Sequence, residues 1–384
     1  MTEAEASKRI LGFICCLLLF GLLCAGLRPF HSPTNDVSWV ANANAVRFGR
    51  HGTILGQGFF SAVGSRSGGR TLEIWLQPGL VNDSDTFIAF YDPGEPRHLS
   101  LHQSGSDLEL RIAPVGAWRR EKTERLYVDS AFRGRRSTFW TVTSGLRGTA
   151  IYRDGLKLRE SSEVRVSAQA FSGRLVIGNS PIFNDSWSGI LRGIAIYEQV
   201  LDPTQISRHY QTWTKGTKPD LISEDACIAL YLFDEHSGNV VHNRVDSGYD
   251  LYIPAKYRVV DQTVMDPVWR AFNWSWGFWK DAVINVCGFI PVGCFFCAYL
   301  SARGFDRPTL IASSLGGVVS LFVELTQSHL PTRDSSMSDL LTNIAGSIIG
   351  ASLYRGRVAK LIDGCVASMI ACGPRRCVVL RTPR

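Results

Sequence analysis

Between residues 281 and 354, three apolar runs near 281–302, 309–330 and 338–354 are interrupted by a few acidic and amide residues at helical spacing. A hydrocarbon layer is crossed by roughly 20 apolar residues in a helix, and a helix satisfies its own backbone there. The stretch therefore commits the C-terminal third of the chain to a helical membrane unit. Trp269, Trp274, Trp276 and Trp279 crowd its approach, as expected of an aromatic belt at a membrane interface.

Another uncharged run, 10–27, follows Lys8 and Arg9. It is long for a signal-peptide core, and Arg28-Pro29-Phe30 follows without a small-x-small cleavage pattern, which favours an uncleaved helix. Lys8 and Arg9 place the N-terminus in the cytoplasm. With the first helix running outward and the second returning, Arg303 and Arg307, and then Arg355 and Arg357, also fall on the cytoplasmic side. The expected bundle has about four helices, cytoplasmic termini and an extracytoplasmic insert. Residues 358–373, which contain Lys360 and Asp363, read as an interfacial helix, followed by a basic tail, 375–384, near anionic lipid.

The chain has 384 residues, enough for two or three units. The net charge of +7 is scattered through strand-like segments and membrane flanks, which argues against a nucleic-acid surface. Of ten cysteines only Cys227 lies in the polar centre, so no disulfide staples that centre. No Cys/His cluster has zinc spacing.

Residues 37–216 are rich in short alternating segments punctuated by Gly, Asn, Asp and Pro. Segments 71–78, 86–91, 107–113, 137–143, 148–153 and 174–178 read as strands, and their number and spacing predict an antiparallel sandwich. Asp154-Gly155 reads as a hairpin turn that needs positive φ. The order Leu72-Glu-Ile-Trp75, Ile151-Tyr-Arg-Asp-Gly155, Leu175-Val-Ile-Gly178, then Trp187–Tyr197 and Leu201–Tyr210, with Pro203 opening a short helix, resembles a laminin-G/concanavalin-A-like lectin domain. The resemblance implies a jelly-roll fold that binds sugars, proteins or calcium, or serves as a spacer. Asp83, Asp85, Asn184 and Asp185 are oxygen-bearing candidates for a structural calcium, though Asn and Asp are also ordinary turn formers. Trp118 and Trp140 are sugar-stacking or core aromatics. No paired glutamates with glycosidase spacing stand out. Residues 217–272 read either as a linker with truncated lectin-like strands or as strands completing the first sandwich.

Within the membrane unit, 273–357, Asp281 and Asn285, Glu324 and Gln327, and Asp339 and Asn343 each share a helix face. By the topology above, all three pairs sit at extracytoplasmic ends, with Arg333 in the outer loop. Gly346 and Gly350 extend the Asp339/Asn343 face as a small-x-x-x-small strip. The string Asp281-x-x-x-Asn285, Gly288-Phe-Ile-Pro-Val-Gly293, Glu324-Leu-Thr-Gln327, Pro331, Arg333, Ser336 and Asp339-Leu-x-x-Asn343-x-x-Gly346-x-x-x-Gly350 resembles the VanZ-like membrane family. In the family's compact pattern the first helix is followed closely by the rest, whereas a lectin-like insert intervenes here. The resemblance implies a bacterial cell-envelope setting and, through its namesake, low-level glycopeptide resistance.

Two functions follow as expectations. One is a non-enzymatic envelope protein that holds a lipid-linked or amphiphilic molecule in the membrane core and a glycan or protein partner on the sandwich. The other is a membrane enzyme acting on a lipid-linked or phosphorylated precursor at the outer leaflet, with Glu324 or Asp339 as general acid or base and Arg333 holding an anionic group. No cofactor beyond the candidate calcium is implied.

Overall fold

In the computed structural model the described residues are 2–61, 68–79, 84–114, 122–167, 169–215, 226–272, 274 and 276–371. Asp83, Trp118 and the tail 375–384 lie outside them. The chain divides into two compact units. One comprises Met1–Phe30, Val264–His329 and Ser335–Arg384; the other comprises His31–Thr263 and Leu330–Asp334.

The second unit is a sandwich. Its strands are β1 (Val37–Trp39), β2 (Val46–Phe48), β3 (Ile54–Phe60), β4 (Arg70–Pro78), β5 (Ser84–Tyr91), β6 (Arg97–Ser104), β7 (Asp107–Pro114), β8 (Glu124–Val128), β9 (Thr138–Gly145), β10 (Gly148–Arg153), β11 (Leu156–Ser161), β12 (Gly173–Ile177), β13 (Gly189–Tyr197), β14 (Cys227–Tyr231), β15 (Val240–Val241) and β16 (Leu251–Tyr252). One antiparallel sheet runs β1-β2-β13-β4-β9-β10-β11 with β14 paired on β13, and the other runs β15-β16-β3-β12-β5-β6-β7-β8. Each segment read as a strand from the sequence is one. The helices among the described residues are α1 (Glu3–Leu27), α2 (Pro203–Thr214), α3 (Val268–Ala271), α4 (Trp276–Ala302), α5 (Pro308–Gln327), α6 (Met337–Leu353) and α7 (Ala359–Ala371).

Alternation decides which side chains enter the sandwich. Leu72, Ile74 and Leu76 of β4 face the core between the sheets, where they join Trp140 and Trp187. Trp187 packs between Phe48 and Phe87, with ring centroids 5.9 and 6.0 Å away, and its indole N–H donates to Gln103 Oε1 at 2.9 Å. Trp140 is wholly buried, so it is a core aromatic and not a sugar platform. The turn between β10 and β11 has φ of +52° at Asp154 and +80° at Gly155, the pair of positive values that a tight hairpin requires. α2 begins with Pro203 and is closed by a capping box, in which Asp202 accepts from the Gln205 backbone and the Gln205 side chain accepts from Asp202 N.

The strand pairing decides between the two readings of the stretch after α2. β14 pairs with β13, and β16 pairs with β3, so residues 227–252 complete this sandwich and are neither a linker nor a truncated repeat. These strands need hydrogen-bond partners, and both sheets offer an open neighbour.

In the first unit α1, α4 and α5 contain stretches long and apolar enough to cross a membrane: Ala4–Leu27, Trp276–Ala302 and Pro308–Gln327. α6 has 17 residues, at the lower end of the range of about 17–25 that can span. Phe13, Phe20, Val318 and Phe322 are exposed on these helices, as lipid-facing side chains are. Trp269, Trp274, Trp276 and Trp279 are exposed as well. α4 and α6 pack at backbone distance: a Cβ on Gly346 would stand 2.3 Å from Val286 O, and one on Gly350 would stand 2.0 Å from Ile290 O. α7 buries Ile362 and Val366 in a cluster with Leu11, Cys294 and Tyr354.

Candidate functional site

The polar residues of the membrane unit meet across helices. Asn285 on α4 donates through Nδ2 to Asp339 Oδ1 on α6 at 2.9 Å. Glu324 on α5 is 2% exposed, and its Oε2 accepts from the backbone N–H of Ser336 at 2.9 Å, the residue that caps α6 by accepting from Ser338 N at 3.1 Å. Asn343 Nδ2 reaches Ser320 Oγ on α5 at 3.0 Å. The charges of Asp281 and Glu324 both lie within electrostatic range of Asp339. Asp281, Asn285, Glu324, Asp339 and Asn343 therefore form one cluster of carboxylates and amides around the start of α6.

Two sequence candidates make other contacts. Gln327 Nε2 donates to Gly26 O on α1 at 2.7 Å, a helix-to-helix tie. Arg333 belongs to Leu330–Asp334, the segment that groups with the sandwich, where its carbonyl accepts from Gln262. The structure also adds residues the sequence did not single out. Ser335 is buried, and Ser320 and Ser347 are wholly buried on α5 and α6; a small hydroxyl on an apolar helix face was their only signal. Asn343 Oδ1, Ser338 Oγ and Ser347 Oγ are buried without a hydrogen-bond partner among the described residues. Buried polar atoms normally find partners, so this cluster has unspent capacity to hydrogen-bond a polar group.

On the sandwich, two of the calcium candidates are engaged by protein donors. Asn184 Oδ1 accepts from Tyr257 O–H at 2.9 Å, and its Nδ2 donates to Thr332 O at 3.2 Å. Asp185 Oδ2 accepts from Thr86 Oγ1 at 2.5 Å. Asp85 is on β5, opposite Gln103. Among the described residues no group of three or more His, Cys, Asp and Glu is placed to hold a metal ion.

Asp185 also ends a relay on the outer face of the second sheet. His102 Nδ1 lies 3.4 Å from Asp185 Oδ2 and 2.9 Å from Thr86 Oγ1, while its Nε2 lies 2.9 Å from Ser100 Oγ. Ser100 and His102 are both buried, so the relay fastens the 185 loop to β5 and β6 and offers a substrate no approach. Burial above all, with the Arg111 charge adding to it, holds His102 below the ordinary imidazole value, while Asp185 works against the shift. The folded form thus resists a proton that the unfolded chain accepts near pH 6.5. Stability is present above that pH and falls as pH drops through the window below it. Thermal unfolding followed between pH 7.5 and 5 is expected to show a falling midpoint, and His102→Gln is expected to flatten the slope. An unchanged slope in that variant would remove His102 as the cause.

Residues 226–361 match the VanZ/LLP1 family. This VanZ/LLP1 region takes in α3 to α6 and also β14 to β16, so it begins within the sandwich. Residues 57–207 match the model described as the concanavalin A-like lectin/glucanases superfamily. Both resemblances drawn from the motifs are found together in this chain, and with its apolar helices it is a membrane protein carrying a lectin-like domain. Among curated proteins no relative matches. Similar solved structures include the Botulinum neurotoxin serotype D binding domain, at 14% identity and TM-score 0.34 over 46% of each chain. The binding domain of Paraclostridial Mosquitocidal Protein 1 is 14% identical with a TM-score of 0.34, over 48% of this chain and 47% of that one. A candidate carbohydrate-binding protein from Bacteroides ovatus is 13% identical with a TM-score of 0.37, over 58% of each chain. The alignments span about half of those chains, and the scores are too low to bear on function.

Proposed function

We propose that the protein is an integral membrane protein of the bacterial cell envelope that binds and does not transform its ligand. The VanZ/LLP1 core would hold the polar head of a lipid-linked or amphiphilic envelope molecule, and the lectin-like sandwich, outside the membrane, would bind glycan or an envelope protein. The observation that carries the reading is the α4–α5–α6 cluster. Glu324 and Asp339 are held by neutral donors, and Asn343 Oδ1 and Ser338 Oγ are left with capacity for a further polar group. The basic residues at the start of α1, Lys8 and Arg9, and those after α4 and α6 support cytoplasmic termini. Cys227 is buried, so labelling of a cysteine introduced at exposed Leu156 is the better reporter, and labelling from the cytoplasmic side alone would reverse this topology. A link to glycopeptide tolerance fits a protein that retains envelope precursors.

The competing reading makes Glu324 or Asp339 a general acid or base and gives Arg333 an anionic group to hold. Alanine variants at Glu324, Arg333 and Asp339, assayed for both binding and turnover of a lipid-linked precursor, separate the two. Wild type is expected to bind without turnover, and Glu324→Ala and Asp339→Ala are each expected to weaken binding about tenfold, the equivalent of ~1.4 kcal/mol. Turnover that disappears in either variant while binding persists would decide for the enzyme.

A further inference from the structure

The sandwich has a cavity of about 650 Å³ lined by Trp39, Val40, Ala41, Asn42, Asn44 and His236, far in sequence from the calcium candidates and not used by any contact described above. Its walls come from two places. Among the described strands β1 is an edge strand, paired with β2 alone, and the turn that leaves it, residues 40–45, is closed by Val40 N–H donating to Ala45 O at 3.0 Å. The second wall is the loop between β14 and β15. Trp39 joins the two by donating its indole N–H to Gly238 O at 3.0 Å.

That bond has a chemical consequence. The one polar atom of Trp39 is already satisfied, so what it offers a ligand is the π-face. The ring is half-buried and rests against the sandwich core, which fixes its orientation. Around it stand two carboxamides and an imidazole, all exposed. Amides donate and accept at once, and an imidazole can do either, so the set suits hydroxyl groups that also do both. Asn42 and His236 have φ of +60° and +58°, the left-handed region that asparagine and histidine enter more readily than most residues. Among the described residues no Lys, Arg, Asp or Glu lines the cavity, so neither an anionic nor a cationic ligand finds a counter-charge from them. Its volume falls in the range of about 300–1,000 Å³ usual for small-ligand sites.

We infer that this cavity is a saccharide-binding site for an uncharged glycan end, with a pyranose C–H face stacked on Trp39 and ring hydroxyls bonded by Asn42, Asn44 and His236. The inference rests on the proposed glycan-binding role of the sandwich and gives that role a location and a ligand class.

The test uses the full-length protein in detergent, titrated calorimetrically with chitotriose, maltotriose and cellotriose as neutral probes and with sialyllactose as an anionic one. Wild type is expected to bind at least one neutral trisaccharide saturably. Trp39→Ala is expected to weaken that binding tenfold or more and Trp39→Phe much less. Asn42→Gly and His236→Gly remove side chains while keeping backbones that glycine adopts freely, so they leave the fold intact; each is expected to weaken binding several-fold. If wild type binds a neutral sugar and all these variants bind it equally, the cavity is not the site, although the glycan role stands. Binding of sialyllactose alone overturns the ligand class. If wild type binds none of the four, the site and the glycan role fall together.

Discussion

Gly350→Ala is expected to destabilise the helical unit by about 1–3 kcal/mol, the usual cost of overpacking, and Gly350→Leu by more. The reason is local and geometric. A Cβ at position 350 would stand 2.0 Å from Ile290 O and 2.9 Å from Cys294 N, and one at position 346 would stand 2.3 Å from Val286 O. Gly346 and Gly350 are one turn apart on α6, and Val286 and Ile290 are one turn apart on α4. The two helices thus approach along a strip where glycine meets carbonyl twice in register, and Gly293 returns the contact, its Cβ position lying 2.0 Å from Ser347 O. Lipid tails are as apolar as leucine, so helices in a bilayer associate through close packing of this kind rather than through a hydrophobic drive. Backbone atoms cannot rotate away as a side chain can, so α4 and α6 must separate. The same separation would stretch the Asn285–Asp339 bond, which joins the same two helices. Unfolding of the purified protein by denaturing detergent, followed by tryptophan fluorescence, measures the loss. Gly288→Ala on α4 is the control, since nothing lies within 4 Å of its Cβ position. Equal stability of Gly350→Ala and Gly288→Ala would refute the packing argument.

That strip was readable in the sequence because a small-x-x-x-small pattern needs only the period of one helix. Asp154-Gly155 and Pro203 were readable for the same kind of reason, since turn and cap chemistry is local. The acid–amide pairs show where such reading stops. Helical spacing correctly put Asp339 and Asn343 on one face, yet their bonds go to Asn285 and Ser320 on other helices, and Gln327 turns to Gly26. Spacing within a helix does not carry the rotation of one helix against another. Arg333 shows a second gap: nothing in the sequence between two spans signals that its segment groups with the sandwich through Gln262. β15 and β16 are two residues long, too short for any periodic signal, and only long-range pairing makes them strands. The Trp39 cavity was invisible because its two walls are some 200 residues apart.

Glu73→Ala is expected to cost the sandwich about 3–5 kcal/mol, the range for breaking a buried charged network from one side. In the sequence Glu73 stands out only as part of the Leu72-Glu-Ile-Trp75 strand. In the fold its face of β4 lies beneath α2 and the side chain is wholly buried. Oε1 lies 2.9 Å from His209 Nδ1, and Oε2 accepts from Tyr197 O–H at 3.0 Å and Trp213 Nε1–H at 3.2 Å. His209 and Trp213 are both on α2, so one carboxylate fastens that helix to the sheet while Tyr197 ties it to β13. Removing the carboxylate takes one partner each from His209, Tyr197 and Trp213 within an apolar cluster that includes Phe139, Leu201 and Ile206, and each buried hydrogen-bond partner lost costs about 1–3 kcal/mol. Glu73→Gln keeps the volume and one acceptor oxygen but turns an amide N–H toward a donor, so an intermediate loss is expected. His209→Ala on the Glu73→Ala background should cost far less than on wild type, because bonded pairs are not additive. Thermal unfolding of the four proteins in this cycle reads the coupling directly. Strict additivity would mean that Glu73 and His209 stabilise the fold independently, and the clamp on α2 would have to be sought in its apolar face alone.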